Sequence, residues 1–181
     1  MFAVVQNGEV RQILQLDVPF SVGDKHYSSN FLRTSSAQEK IEAGVWEIIE
    51  GQRPDDRFYW VSGPAYRVVE ANSTVEANYS GTPKQLDDTT ETPEGATEPV
   101  TTKGLKSTSV AQIKSAANSM LASTDWMVIR KAERDVAIPE ATVTYRAAVV
   151  AECARLEAAI SAATDVDGLI AALATANWPA A

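Results

Sequence analysis

The side chains that carry most metal and covalent chemistry are nearly missing from this sequence: His26 is the only histidine and Cys153 the only thiol. A zinc-type centre needs several convergent Cys, His or carboxylate ligands, and these two residues fall in different segments, so no metal site is expected. A nucleophilic Ser or Cys needs a neighbouring base with a group to orient it, and one histidine leaves little to build that from. His26, within Lys25-His26-Tyr27, reads as a surface or strand residue, and Cys153, on an apolar helical stripe among alanines, as a small core residue. The carboxylate pairs Asp55-Asp56 and Asp87-Asp88 lie in turn or linker sequence, where solvation is expected to keep their acidity ordinary. The nine glycines form neither Gly-x-Gly-x-x-Gly nor Gly-x-x-x-x-Gly-Lys-Ser/Thr, so no nucleotide is expected. No catalytic residue, cofactor or enzyme activity follows from this inventory.

Recognition by contact is the chemistry that remains. In Phe58-Tyr59-Trp60, strand alternation would put Tyr59 on one face and Phe58 with Trp60 on the other. With Tyr66 and Tyr79 nearby, this is a core face backed by an exposed aromatic face, and Tyr59 and Trp60 are candidate contact residues. Stacking on bases would call for cations, and only Arg53, Arg57 and Arg67 accompany the cluster among many acids. A second candidate lies in the string from Ser123 to Arg146. Thr124 or Asp125 is expected to cap a helix, Trp126 to staple it together with Ile129, and Arg130 with Arg134 to emerge on one edge. Trp and Arg dominate interface hot spots, which makes Trp126, Arg130 and Arg134 candidate protein contacts.

The elements that must hold these residues are constrained by composition. The 181 residues, 45% hydrophobic, suffice for one sizeable core or two small ones. A net charge of −8 repels phosphate backbones and anionic head groups, so neither nucleic acid nor membrane is an expected partner. The start, Met1-Phe-Ala-Val-Val-Gln-Asn-Gly, lacks a basic leader and a long apolar run, and no stretch approaches a membrane span. The expected location is a cytoplasm. The sequons at Asn72 and Asn78 read as polar turn residues.

An α+β fold is expected, with a small, mostly antiparallel β domain over 1–81, an acidic Thr/Glu/Pro-rich linker over 82–103 and a small helical bundle over 104–181. Asn7-Gly8 between apolar runs predicts a hairpin. An irregular passage to about Arg33 follows, then a helix over 37–43 capped by Ser35 or Ser36 and stopped at Gly44. Strands are expected over 45–50, 57–62, 65–71 and 75–80, with joints at Gly63-Pro64 and Asn72-Ser73. Beyond Gly104 the period becomes helical. One helix carries Leu105, Ile113, Ala117, Met120 and Leu121, a second starts near Thr124, and a third runs from Pro139 to about Ala163. The third presents two apolar stripes, Val143-Ala147-Val150-Ala154 and Val149-Cys153-Leu156-Ile160, and Asp165 caps a last helix.

The string at Thr124, Asp125, Trp126, Arg130, Glu133, Ile138, Pro139, Tyr145 and Arg146 resembles the C-terminal segment of phage tail-fibre assembly proteins and tail assembly chaperone-like proteins. The likeness spans about Leu121 to Glu152, and more loosely Gly44 to Ile49, Asp56 to Val61 and Tyr79 to Lys84. It implies a non-enzymatic helper that binds tail-fibre or baseplate subunits in the host cytoplasm and assists their folding or trimerisation. The alternative it implies is a permanent virion component at the fibre or baseplate periphery, and self-association is left open. The alanine-rich second half of the long helix and the ending Asn177-Trp178-Pro179 depart from the pattern, which leaves the partner surface unassigned.

Overall fold

The computed structural model describes residues 1–95 and 97–180, and the chain is α+β. It divides into two compact units, Met1–Thr82 and the segment from Pro83 onward.

In the first unit, β1 (Phe2–Gln6) and β2 (Glu9–Leu14) form the expected hairpin, with Asn7 and Gly8 both at positive φ. A bulge makes Val4 face Gln12 and Val5 face Val10, so Arg11 is the extra residue. The bulge puts Val10 and Ile13, three apart, against the same apolar cluster. The passage expected to be irregular instead contains β3 (Phe20–Val22), β4 (Lys25–Tyr27) and α1 (Phe31–Thr34). Ring packing of Phe20, Tyr27 and Phe31 and a two-pronged Arg33–Asp17 ion pair hold them. Ser36 caps α2 (Ala37–Glu42) in a capping box with Glu39, and Gly44 ends the turn at φ +75.

Strands β5 (Val45–Glu50), β6 (Tyr59–Val69) and β7 (Thr74–Pro83) complete a mixed sheet of order β2-β1-β5-β7-β6. β1 pairs antiparallel with β2 and β5, and β5 runs parallel to β7. The joint expected at Gly63-Pro64 is absent because β6 is an edge strand, where a proline need not donate to a ladder. Alternation divides the core: Ala3, Val5, Ile48, Val75 and Ala77 share one face, and Val4, Leu14 and Val45 join Phe20 and Leu32 on the other.

In the second unit, the segment expected to be an acidic linker holds two short strands, β8 (Thr89–Glu91) and β9 (Val100–Thr102), paired antiparallel. Apolar burial contributes little there, and the order comes from hydrogen bonds at the junction with α3 (Leu105–Arg134). The Gly104 amide donates to the Asp88 carboxylate at 2.8 Å, and the Leu105 and Lys106 amides donate to the Gln85 and Leu86 carbonyls. Three amides at the start of α3 are thereby satisfied from outside the helix. A Cβ at Gly104 would stand 2.5 Å from Asp87 backbone atoms, so this approach requires glycine.

α3 is one continuous helix of 30 residues, which corrects the expected break near Thr124. Nothing between Leu121 and Trp126 breaks a helix, and the Thr124 hydroxyl bonds the Leu121 carbonyl within it. After a left-handed Asp135, α4 (Glu140–Ala162) begins behind Pro139 and α5 (Val166–Ala174) behind an Asp165 cap. Val149, Leu156 and Ile160 of α4 are buried, as are Ile113 and Ala117 of α3 and Val166 and Leu169 of α5. The other expected stripe of α4 is not core: Val143 is 50% and Val150 57% exposed.

Asp88 departs from the ordinary acidity expected of it. The Gly104 amide first, then Ser107 and Lys103, pull its pKa from 3.8 down to about 2 by bonding the charged form. A lowered carboxyl stabilises the fold above its unfolded value and loses that contribution as pH falls through its folded value. Asp88→Asn should therefore lower the thermal midpoint at pH 7. The gap to wild type should close between about pH 3.8 and about 2 in circular-dichroism melts.

Candidate contact surface

The far end of α3 is built around Arg146. Its Nη1 donates to the Thr124 hydroxyl at 2.6 Å and the Leu121 carbonyl at 3.0 Å, and it meets the Asp125 carboxylate at 2.9 Å. The side chain is largely covered, so three oxygens of α3 neutralise and satisfy a cation carried by α4. Tyr145 adds a long contact from its hydroxyl to the Met120 carbonyl at 3.5 Å. Nearer the middle of the helices, Lys114 of α3 pairs with Glu157 of α4 at 2.7 Å. Thr124, Asp125, Tyr145 and Arg146 are thus a latch between helices, a role their individual types did not reveal.

Trp126 points away from that latch. It is 51% exposed and Ile129 57%, which overturns the expectation that the two staple the bundle. The structure does bring Trp126 and Arg130 together: the guanidinium lies 4.8 Å from the centre of the indole. The Arg130 Nε is buried without an acceptor. Arg134 follows one turn later and is exposed, in the last turn of α3, while its neighbour Lys131 pairs with Asp135.

Arg130 and Arg134 differ from the other arginines in their surroundings. Arg11, Arg33, Arg53, Arg57, Arg67, Arg146 and Arg155 each meet a carboxylate. Among the described residues, no carboxylate lies within ion-pair distance of Arg130 or Arg134. In a chain with net charge −8, the exposed indole with Arg130 over it and Arg134 one turn on make a cationic and aromatic patch on α3.

The other candidates, Tyr59 and Trp60, belong to the first unit. Trp60 is 68% exposed on the edge strand β6, while Tyr59 is half-buried and fits against Gly81, where a Cβ would come within 3.1 Å of its ring. Phe58 is buried and lies before the strand, so it does not share a face with Trp60 as expected. Tyr79 donates to Glu50 at 2.9 Å, and that bond raises its pKa. A polar groove of about 680 Å³ lies between edge strands β2 and β6, but Arg11 and Arg67 on its walls are engaged by Glu9 and Glu76.

Four carboxylates besides Asp88 are also shifted. Glu152 is brought to about 2 by Arg155 and the Asn177 amide, Asp55 is lowered by Arg57, Asp17 by Arg33 and Glu39 by Ser36. All five shifts are downward and come chiefly from hydrogen bonds, which makes these groups weaker bases; their role is to hold chain segments together. Among the described residues, no group of three or more His, Cys, Asp or Glu side chains is arranged to hold a metal ion. Among the described residues, no helix is long and apolar enough to cross a membrane. Compared with known proteins, the chain matches no family model, no curated protein and no solved structure.

Separate roles for latch and surface predict separate phenotypes. Arg146→Met removes bonds from three α3 oxygens and should cost about 1–3 kcal/mol in urea unfolding. Trp126→Ala, truncating a half-exposed ring, should change stability by less than about 1 kcal/mol. The reverse ranking would assign Trp126 to the core.

Proposed function

We propose that this chain is a non-enzymatic phage tail protein that binds tail-fibre subunits and assists their folding and assembly in the host cytoplasm. One observation carries the proposal. The motif resembling tail-fibre assembly proteins divides into an inter-helix latch, Thr124, Asp125, Tyr145 and Arg146, and an exposed indole, Trp126, with the Arg130 guanidinium over it. An exposed indole with a stacked guanidinium is the kind of anchor that becomes energetically dominant once a partner covers it. In this reading α3, α4 and α5 act as a small bundle that presents the anchor. The acidic segment 82–103 joins that bundle to the β unit, whose exposed Trp60 offers a second contact.

Co-expression with the fibre gene encoded beside this chain tests the reading. Omitting the chain should reduce soluble, trimeric fibre, and Trp126→Ala should reproduce much of that loss while the variant itself stays folded. Unchanged fibre yield without the chain would reject assistance in assembly. Stoichiometric recovery of the chain in purified particles would instead favour the second reading, a permanent component of the fibre or baseplate periphery.

A further inference from the structure

The two unmatched arginines have a complement elsewhere on the same unit. The β8–β9 hairpin carries Glu91, Glu94 and Glu98, all exposed, and among the described residues none of them has an ion-pair partner. That hairpin joins α3 at Gly104, whereas Arg130 and Arg134 lie at the opposite end of the helix. The distance from Gly104 to Arg130 is about 39 Å at the helical rise of about 1.5 Å per residue. Among the described residues, none of these acids pairs with either arginine of its own chain.

We propose that, when no fibre subunit covers it, the Trp126–Arg130–Arg134 surface is occupied by a second copy of this chain, in an antiparallel two-fold dimer. Each copy's acidic turn lies against the other's arginines. Two-fold symmetry forms both contacts at once, because the separation of acids and arginines is the same in each copy. The face of α3 between the two ends suits such an approach: Ala111, Gln112, Ser115, Asn118, Ser119 and Ala122 are exposed, small or uncharged. Val100, exposed in β9, supplies an apolar contact near the acids. With net charge −8 on each copy, the dimer is expected to be weak.

Sedimentation velocity of the intact chain across a concentration series tests this. Wild type should show concentration-dependent dimers, and the two charge-reversing variants, Arg130→Glu/Arg134→Glu and Glu91→Lys/Glu94→Lys/Glu98→Lys, should each dimerise about tenfold more weakly or not at all. General repulsion predicts the opposite for the second variant, whose net charge moves from −8 toward zero. Mixing the two variants restores complementary ends and should recover a heterodimer. Wild type that stays monomeric throughout, or dimers that persist in both variants, would overturn the proposal, as would a mixture that fails to associate when each variant is folded by circular dichroism.

Discussion

The rotation of α3 about its own axis depends on Arg146. A guanidinium in the seam between two helices needs acceptors, because a buried unpaired charge costs several kcal/mol. The acceptors it finds are the Leu121 carbonyl, the Thr124 hydroxyl and the Asp125 carboxylate, all on one edge of α3. Turning that edge toward α4 fixes every other position on the helix. Trp126, two residues beyond Thr124, is about 200° further around and therefore faces solvent. The exposed indole is a geometric consequence of the latch.

The other end of α3 is held by the same kind of interaction with the charges reversed. There a carboxylate, Asp88, accepts from the Gly104 amide and from Lys103, and it sits where the unsatisfied amides of a helix start favour an anion. An acid fixes the beginning of the helix and a base fixes its far portion, with Lys114–Glu157 between them. The helix itself is only weakly amphipathic, with Ile113 and Ala117 as its buried apolar residues. Specific polar contacts at defined positions therefore set its placement more than a continuous apolar stripe does.

Where local chemistry decides the outcome, the sequence could be read directly. The Asn7-Gly8 hairpin, the Ser36 cap, the stop at Gly44 and the Asp165 cap all appear where turn and capping residues demand them. Where the outcome depends on a distant partner, it could not. The junction of the acidic segment with α3 rests on Asp88 meeting an amide sixteen residues away, a pairing with no local pattern. Continuity of α3 through Thr124 was hidden because Ser, Thr and Asp favour caps yet are tolerated inside a helix that tertiary contacts support. The two stripes of α4 are equally apolar in sequence, and only the packing of α3 and α5 selects Val149, Leu156 and Ile160 over Val143 and Val150. For the candidate contact surface, residue types pointed to Trp126 and Arg130, but not to which of the motif residues would bond across to α4.

That division within one motif argues about its purpose. A tryptophan half in water leaves on the order of 3 kcal/mol of burial unrealised, at about 25 cal/mol per Å² of apolar surface. The same helix offers inward positions a few residues away, so placing the ring outward gives up stability that the fold could have used. The stacked Arg130 shields one side of the indole and adds charge, keeping the exposed ring soluble without burying it. A residue needed only for folding gains nothing from this arrangement. A residue held ready for an incoming surface gains a rigid ring, a directed cation and little ordering entropy to lose on contact.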